Sequence, residues 1–118
     1  MRLQVHALLA LALVLLAGTS QAMSIREMRG LEANEKDGKT YANYYLVGVM
    51  EGLREASDTA VRDGRKPIFC VDGRPLEPSM ARLLYHSQLS RNAEQYEADM
   101  PVQLVVKTAL QNSYRCTH

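Results

Sequence analysis

Residues 40–64, "TYANYYLVGVMEGLREASDTAVRDG", constrain the fold more than any other stretch of this chain. No proline interrupts them, Thr40 can cap the start, and apolar residues recur at helical spacing. Tyr41, Tyr44, Tyr45, Gly48, Val49, Gly52 and Ala56 fall on one face, and Leu46, Val47, Met50 and Leu53 cover much of the remainder. A helix apolar almost all round is a buried one. The segment is therefore expected to be the central helix of a bundle. Gly48, Gly52 and Ala56 recur every four residues, and a mid-helix glycine costs about 1 kcal/mol against alanine. That cost predicts a neighbouring backbone packed close against the stripe. A membrane dimer motif has the same spacing, but Glu51, Arg54 and Glu55 in the same segment argue against it.

The flanking segments supply the partners. "SIREMRGLEANEK", residues 24–36, offers Ser24 and Glu27 as a capping box. Ile25, Met28 and Leu31 make a thin apolar stripe there, in a short helix interrupted by Gly30. Residues 37–39, "DGK", form a break. Residues 64–78, "GRKPIFCVDGRPLEP", carry three prolines and a "DG" turn signal and read as an irregular loop. Pro78 suits the first position of a third helix running to about Arg91. Its inward face is expected to be Met80, Leu83, Leu84 and Ser87, with Tyr85 and Leu89 pointing elsewhere as a second packed face or an exposed apolar pair. Residues 92–100 form an acidic connector. A last helix runs from Pro101 to about Ser113 on the stripe Val102, Val105, Val106, Ala109, Leu110 and Ser113. The reading is all-α: a small single-domain bundle of about four helices.

The first 22 residues set the compartment. Arg2 precedes an unbroken apolar run, Ala7 to Ala17, and "SQA" at Ser20–Ala22 places small residues where a signal peptidase reads them. The run is 11 residues against the roughly 20 a spanning helix needs. Residues 1–22 are thus expected to be a cleaved secretory signal peptide, leaving an exported 23–118 domain with no membrane span. With Arg2 gone from the 14 Lys+Arg, positive and negative side chains balance against the 13 Asp+Glu. A neutral chain without a basic block argues against nucleic acid as a partner.

In an oxidising compartment two cysteines usually pair. Cys70 and Cys116 would close a loop of 45 intervening residues, worth about 4 kcal/mol by loop-closure entropy. A redox motif wants two cysteines two residues apart, and a zinc site wants more ligands. The pair therefore reads as a structural disulfide.

Catalytic vocabulary is sparse. Only His86 and the terminal His118 remain after residue 22, and His86 lies on a helix flank. Glu51 and Glu55, a turn apart on the central helix, read as a solvated face. No glycine cluster sits at a strand-to-helix junction to cradle phosphate. No catalytic residue, cofactor or metal ligand set is assigned, and binding is favoured over catalysis.

Taken together, the signal peptide, "YYLVGVMEGL", "FCVDG", "LSRNAEQYEADMPVQLVVKTAL" and the terminal "YRC" resemble the Rap/Tai family of periplasmic immunity proteins linked to type VI secretion. The resemblance covers roughly residues 40–116. Tyr44 or Tyr45 with Gly48 and Gly52 match its central helix, Cys70 and Cys116 its cysteines, and Leu89 through Ala109–Leu110 its last elements. The chain departs in carrying Val71–Asp72–Gly73 where the family often has a proline, and in lacking a first-helix cysteine. The resemblance implies a non-enzymatic helical domain that binds a cell-wall-degrading effector, often a peptidoglycan amidase, and covers its cleft, typically as a homodimer. A periplasmic envelope-stress or chaperone-like binder of the same fold is the alternative class.

Two surfaces are expected to meet a partner. One is the acidic turn Glu94, Gln95, Tyr96, Glu97 and Asp99, with Tyr96 as an anchor. The other is the disulfide-tied loop with Arg65, Lys66, Asp72 and Arg74, rigid enough to insert without a large ordering cost. Tyr85 and Leu89 are candidates for a dimer face.

Overall fold

The computed structural model describes residues 1–17 and 22–117. The apolar leader coils into α1 (Arg2–Ala17). Its Leu8, Leu11, Leu13 and Val14 remain more than half exposed, and none of residues 2–14 joins the core. The cleavage motif at Ser20–Ala22 falls largely outside the described residues. Among the described residues no helix is long and apolar enough to cross a membrane.

The capping box forms as expected at the start of α2 (Ile25–Asn34), where Ser24 Oγ accepts from Glu27 N–H and the Glu27 carboxylate reaches back. Two more orphan donors of that first turn are met from across the chain: Ile25 N–H donates to Met100 O at 3.0 Å and Arg26 N–H to Ala98 O at 2.9 Å. The acidic connector is thus clamped onto the start of α2. Gly30 does not interrupt α2, contrary to the sequence expectation, because one half-buried glycine costs less than the tertiary contacts of the turns around it.

Helix α3 (Gly38–Arg62) begins two residues before Thr40. Asp37 takes the left-handed conformation, and its carbonyl accepts from Thr40 and Tyr41. Gly38 is required: a Cβ there would lie 1.8 Å from Leu31 O. At the other end Gly64, at φ +75°, closes a Schellman motif in which Arg65 N–H bonds Ala60 O and Gly64 N–H bonds Val61 O.

Helix α3 is central but only one of its faces is buried. Ala42, Leu46, Met50, Ser57 and Ala60 face the core, with Leu53 half-buried. The opposite face carries Tyr41 at 58 % and Tyr44 at 71 % exposure, and Gly48, Gly52 and Ala56 are exposed with them. No atom lies within 4 Å of a Cβ built at Gly48 or Gly52. The neighbouring backbone expected against this stripe is absent among the described residues.

A 3₁₀ turn at Pro78–Met80 leads into α4 (Ala81–Arg91), and another at Ala93–Gln95 leaves it. The inward face of α4 differs from expectation. Ala81, Tyr85 and Gln88 are buried, Tyr85 completely, while Leu83 is 70 % exposed. Both phases have helical spacing, and the larger Tyr85 ring buries more apolar area than Leu83 would. Tyr85 is therefore not available to a dimer face. Helix α5 (Val102–Ser113) buries Val102, Val105, Val106, Ala109 and Leu110 as its stripe predicts, whereas Ser113, the stripe's last member, is exposed in the final turn. Helices α2, α4 and α5 pack around α3, with no strand among the described residues. The fold is an all-α small domain, and Cys70 is bridged to Cys116.

Candidate partner-binding surfaces

The disulfide loop is fixed by three separate devices. Ser57 on α3 is buried and forms the inner one: its Oγ accepts from Ile68 N–H at 2.9 Å and Phe69 N–H at 3.4 Å and donates to Phe69 O at 3.1 Å. The bridge itself is the second, reinforced by Cys70 N–H donating to Tyr114 O at 2.8 Å. Arg74 is the third. Its guanidinium donates to the carbonyls of Val71, Cys70, Ser113 and Arg115 while lying 5.3 Å from the Tyr114 ring centroid. A cation on those carbonyls also sits at the negative end of α5. Arg74 is thus a clamp inside the domain, and a partner could claim it only by breaking that clamp.

The "DG" signal becomes a tight turn with Asp72 at φ 50° and Gly73 at φ 78°, closed by Arg74 N–H to Val71 O. Both central residues at positive φ define a type I′ turn. Asp72 is thereby held at the rim of a cleft of about 500 Å³ between α3 and the loop, with Asp58, Val61 and Phe69 among its other walls. Arg65 is exposed and pairs with Asp63 at 3.2 Å, and Lys66 is exposed. All four loop residues are exposed, but the Arg74 guanidinium is already engaged by backbone carbonyls.

In the acidic connector, Glu94, Gln95 and Glu97 are exposed, and Asp99 pairs with Arg26. Tyr96 is drawn inward. It is half-buried against the core, and its hydroxyl accepts from Gln88 Nε2 at 3.0 Å. Its role is to seat the connector on α4, so the ring is not a free anchor.

His86, on the flank of α4 as expected, lies 3.1 Å from Glu32 Oε2, and Arg82 lies 3.6 Å from the same atom. This cluster ties α2 to α4. Beneath it Tyr85 Oη is buried with no hydrogen-bond partner among the described residues. Burial, and then the Glu32 carboxylate, push its pKa up to about 12 against a smaller opposing effect of Arg29. No group of three metal-ligating side chains occurs among the described residues. His118 lies outside them.

Sequence reasoning missed a further groove of about 430 Å³ between α4 and α5. Leu83, Leu84 and Ala109 line it with Arg91, Asn92, Asn112 and Arg115. Its signal was present in the charge pattern: residues 78–93 and 100–118 contain no Asp or Glu, although the chain has 13. Net charge alone hid that segregation.

Comparison with protein-family models, with curated proteins and with solved structures gives no match.

Proposed function

We propose that the chain is a periplasmic immunity protein of the Rap/Tai type, exported and oxidised, that binds a cell-wall-degrading effector and covers its active-site cleft. The observation that carries this reading is the Cys70–Cys116 bridge. It joins the two positions at which the resemblance calls for cysteines, one at the head of the loop and one just past the last helix. A bridge of this kind persists in oxidising compartments. Further support comes from the loop, which is held rigid on both sides and presents Asp72 outward, so that inserting it into a cleft orders little that is not ordered already. The dimer that the resemblance implies would seat on the open α3 face, where Tyr41 and Tyr44 flank Gly48 and Gly52.

The test is a pull-down with tagged residues 23–118 from source cells expressing their secretion machinery, with partners read by mass spectrometry. One stoichiometric partner with a hydrolase sequence is the expected result. A scatter of weak, abundant envelope proteins would replace this reading with the chaperone-like one.

A further inference from the structure

We infer that the α4/α5 groove is a docking site for an acidic segment of a protein partner, one that sets a carboxylate beside an apolar side chain. This deepens the partner-binding reading above and rests on it. Charge is the first argument. Helices α4 and α5 carry Arg91 and Lys107, Arg115 follows α5, and no acid lies on either helix, while Arg82 and His86 of α4 are taken up by Glu32 of α2. Arg91 and Arg115 line the groove, and their guanidinium groups have no ion-pair partner among the described residues. Two exposed, unpaired arginines at one concave site favour a carboxylate, which each can bind through two parallel hydrogen bonds.

The apolar lining decides what carries that carboxylate. Leu83 stands 70 % exposed beside the arginines, although the core of the same helix is filled by Tyr85. A free phosphate or a lone metabolite anion would leave Leu83 uncovered, whereas a peptide side chain next to the carboxylate would cover it. Asn92 and Asn112 fit a peptide as well. Each uses its side-chain NH₂ on Gln88, at 3.4 Å and 3.3 Å. That leaves their amide oxygens to accept from an incoming backbone N–H.

The experiment titrates ¹⁵N-labelled residues 23–118 with an acetylated, amidated decapeptide holding a leucine between two glutamates, and with its glutamine counterpart. Expected are saturable shifts at Leu83, Arg91, Asn112 and Arg115 with the acidic peptide alone, weakened about tenfold by Arg91→Glu or Arg115→Glu. Leu83→Ala, at an exposed position that leaves the fold intact, should weaken binding severalfold. Equal response to the neutral peptide, shifts centred elsewhere, or no saturable shift by about 1 mM overturns the inference, 1 mM being the weak end of specific affinity. So does preferential binding to phosphatidylglycerol vesicles, or loss of a homodimer in Arg91→Glu, since either assigns the groove to another occupant. Capture of the same hydrolase by wild type and by the Arg91→Glu/Arg115→Glu double variant would sink the groove and leave the immunity reading standing. Binding of the acidic peptide with no hydrolase captured would do the reverse.

Discussion

Replacing Ser57 by alanine tests whether the disulfide loop is held by one buried hydroxyl as well as by its bridge. Ser57 is 3 % exposed, and its Oγ serves two amides and one carbonyl of Ile68 and Phe69. Alanine fits the space without a clash, so the change removes hydrogen bonds rather than packing. Ile68 is half-buried and its N–H can turn to water, but Phe69 is 5 % exposed and its backbone groups cannot. Two good bonds lost, with a buried carbonyl left unmet, come to about 2 kcal/mol. For a domain near 100 residues each kcal/mol moves the midpoint by about 4–8 °C, so a fall in Tm of about 8–16 °C is expected. Thermal unfolding followed by circular dichroism at neutral pH measures it.

The bridge provides an internal control. In a Cys70→Ser/Cys116→Ser background the loop has lost its covalent tie, and the hydroxyl holds a segment that is already loosened. The same Ser57→Ala change should then cost less than about 1 kcal/mol, a coupling typical of groups acting on one element. A fall in Tm below about 3 °C in the oxidised protein would refute the claim that this hydroxyl anchors the loop. Equal costs in the two backgrounds would refute the coupling.

Removing the bridge alone, by Cys70→Ser/Cys116→Ser, should destabilise the domain by about 4 kcal/mol in urea unfolding, as expected for a 46-position separation. Gly48→Ala and Gly52→Ala should each stabilise the monomer by about 1 kcal/mol, because no atom stands within 4 Å of either new methyl group; urea midpoints that fall instead would place a close neighbour there. Tyr85 keeps its proton to about pH 12 when folded and loses it near 10 when unfolded. Its contribution is therefore intact below pH 10 and lost as pH rises from 10 to 12, by about 2–3 kcal/mol. Tyr85→Phe should remove that alkaline loss in denaturant titrations at pH 9 and 11.5. At neutral pH it should cost almost nothing, since the hydroxyl has no partner to lose.

Much of the fold was legible because local chemistry and periodicity agreed. The Ser24–Glu27 box, the valine stripe of α5 and the "DG" turn each have a short-range cause and appear where that cause puts them. The burial phase of α4 did not, because Leu83, Leu84 and Tyr85 are consecutive and two helical faces fit the same letters. Only tertiary packing chooses between them. Tyr96 and Arg74 show the same limit among the candidate binding residues. An aromatic among carboxylates and an arginine in a loop both read as surface, yet one is hydrogen-bonded to Gln88 and the other to four carbonyls.

The α3 stripe carries the sharper lesson. Apolar residues on nearly every side of residues 40–64 imply burial on every side, and a chain of this length supplies neighbours for one face only. Small domains bury a modest share of their surface, so the second apolar face stays open. Two glycines that weaken an exposed helix by about 1 kcal/mol each meet no packing neighbour among the described residues. The dimer proposed above would supply such a contact at this face. Under that proposal, the sequence signal read as a core within the chain belongs to an interface between copies. The expected outcome is that Gly48→Ala and Gly52→Ala raise monomer stability while weakening self-association in analytical ultracentrifugation. A gain in stability with association unchanged would break the argument.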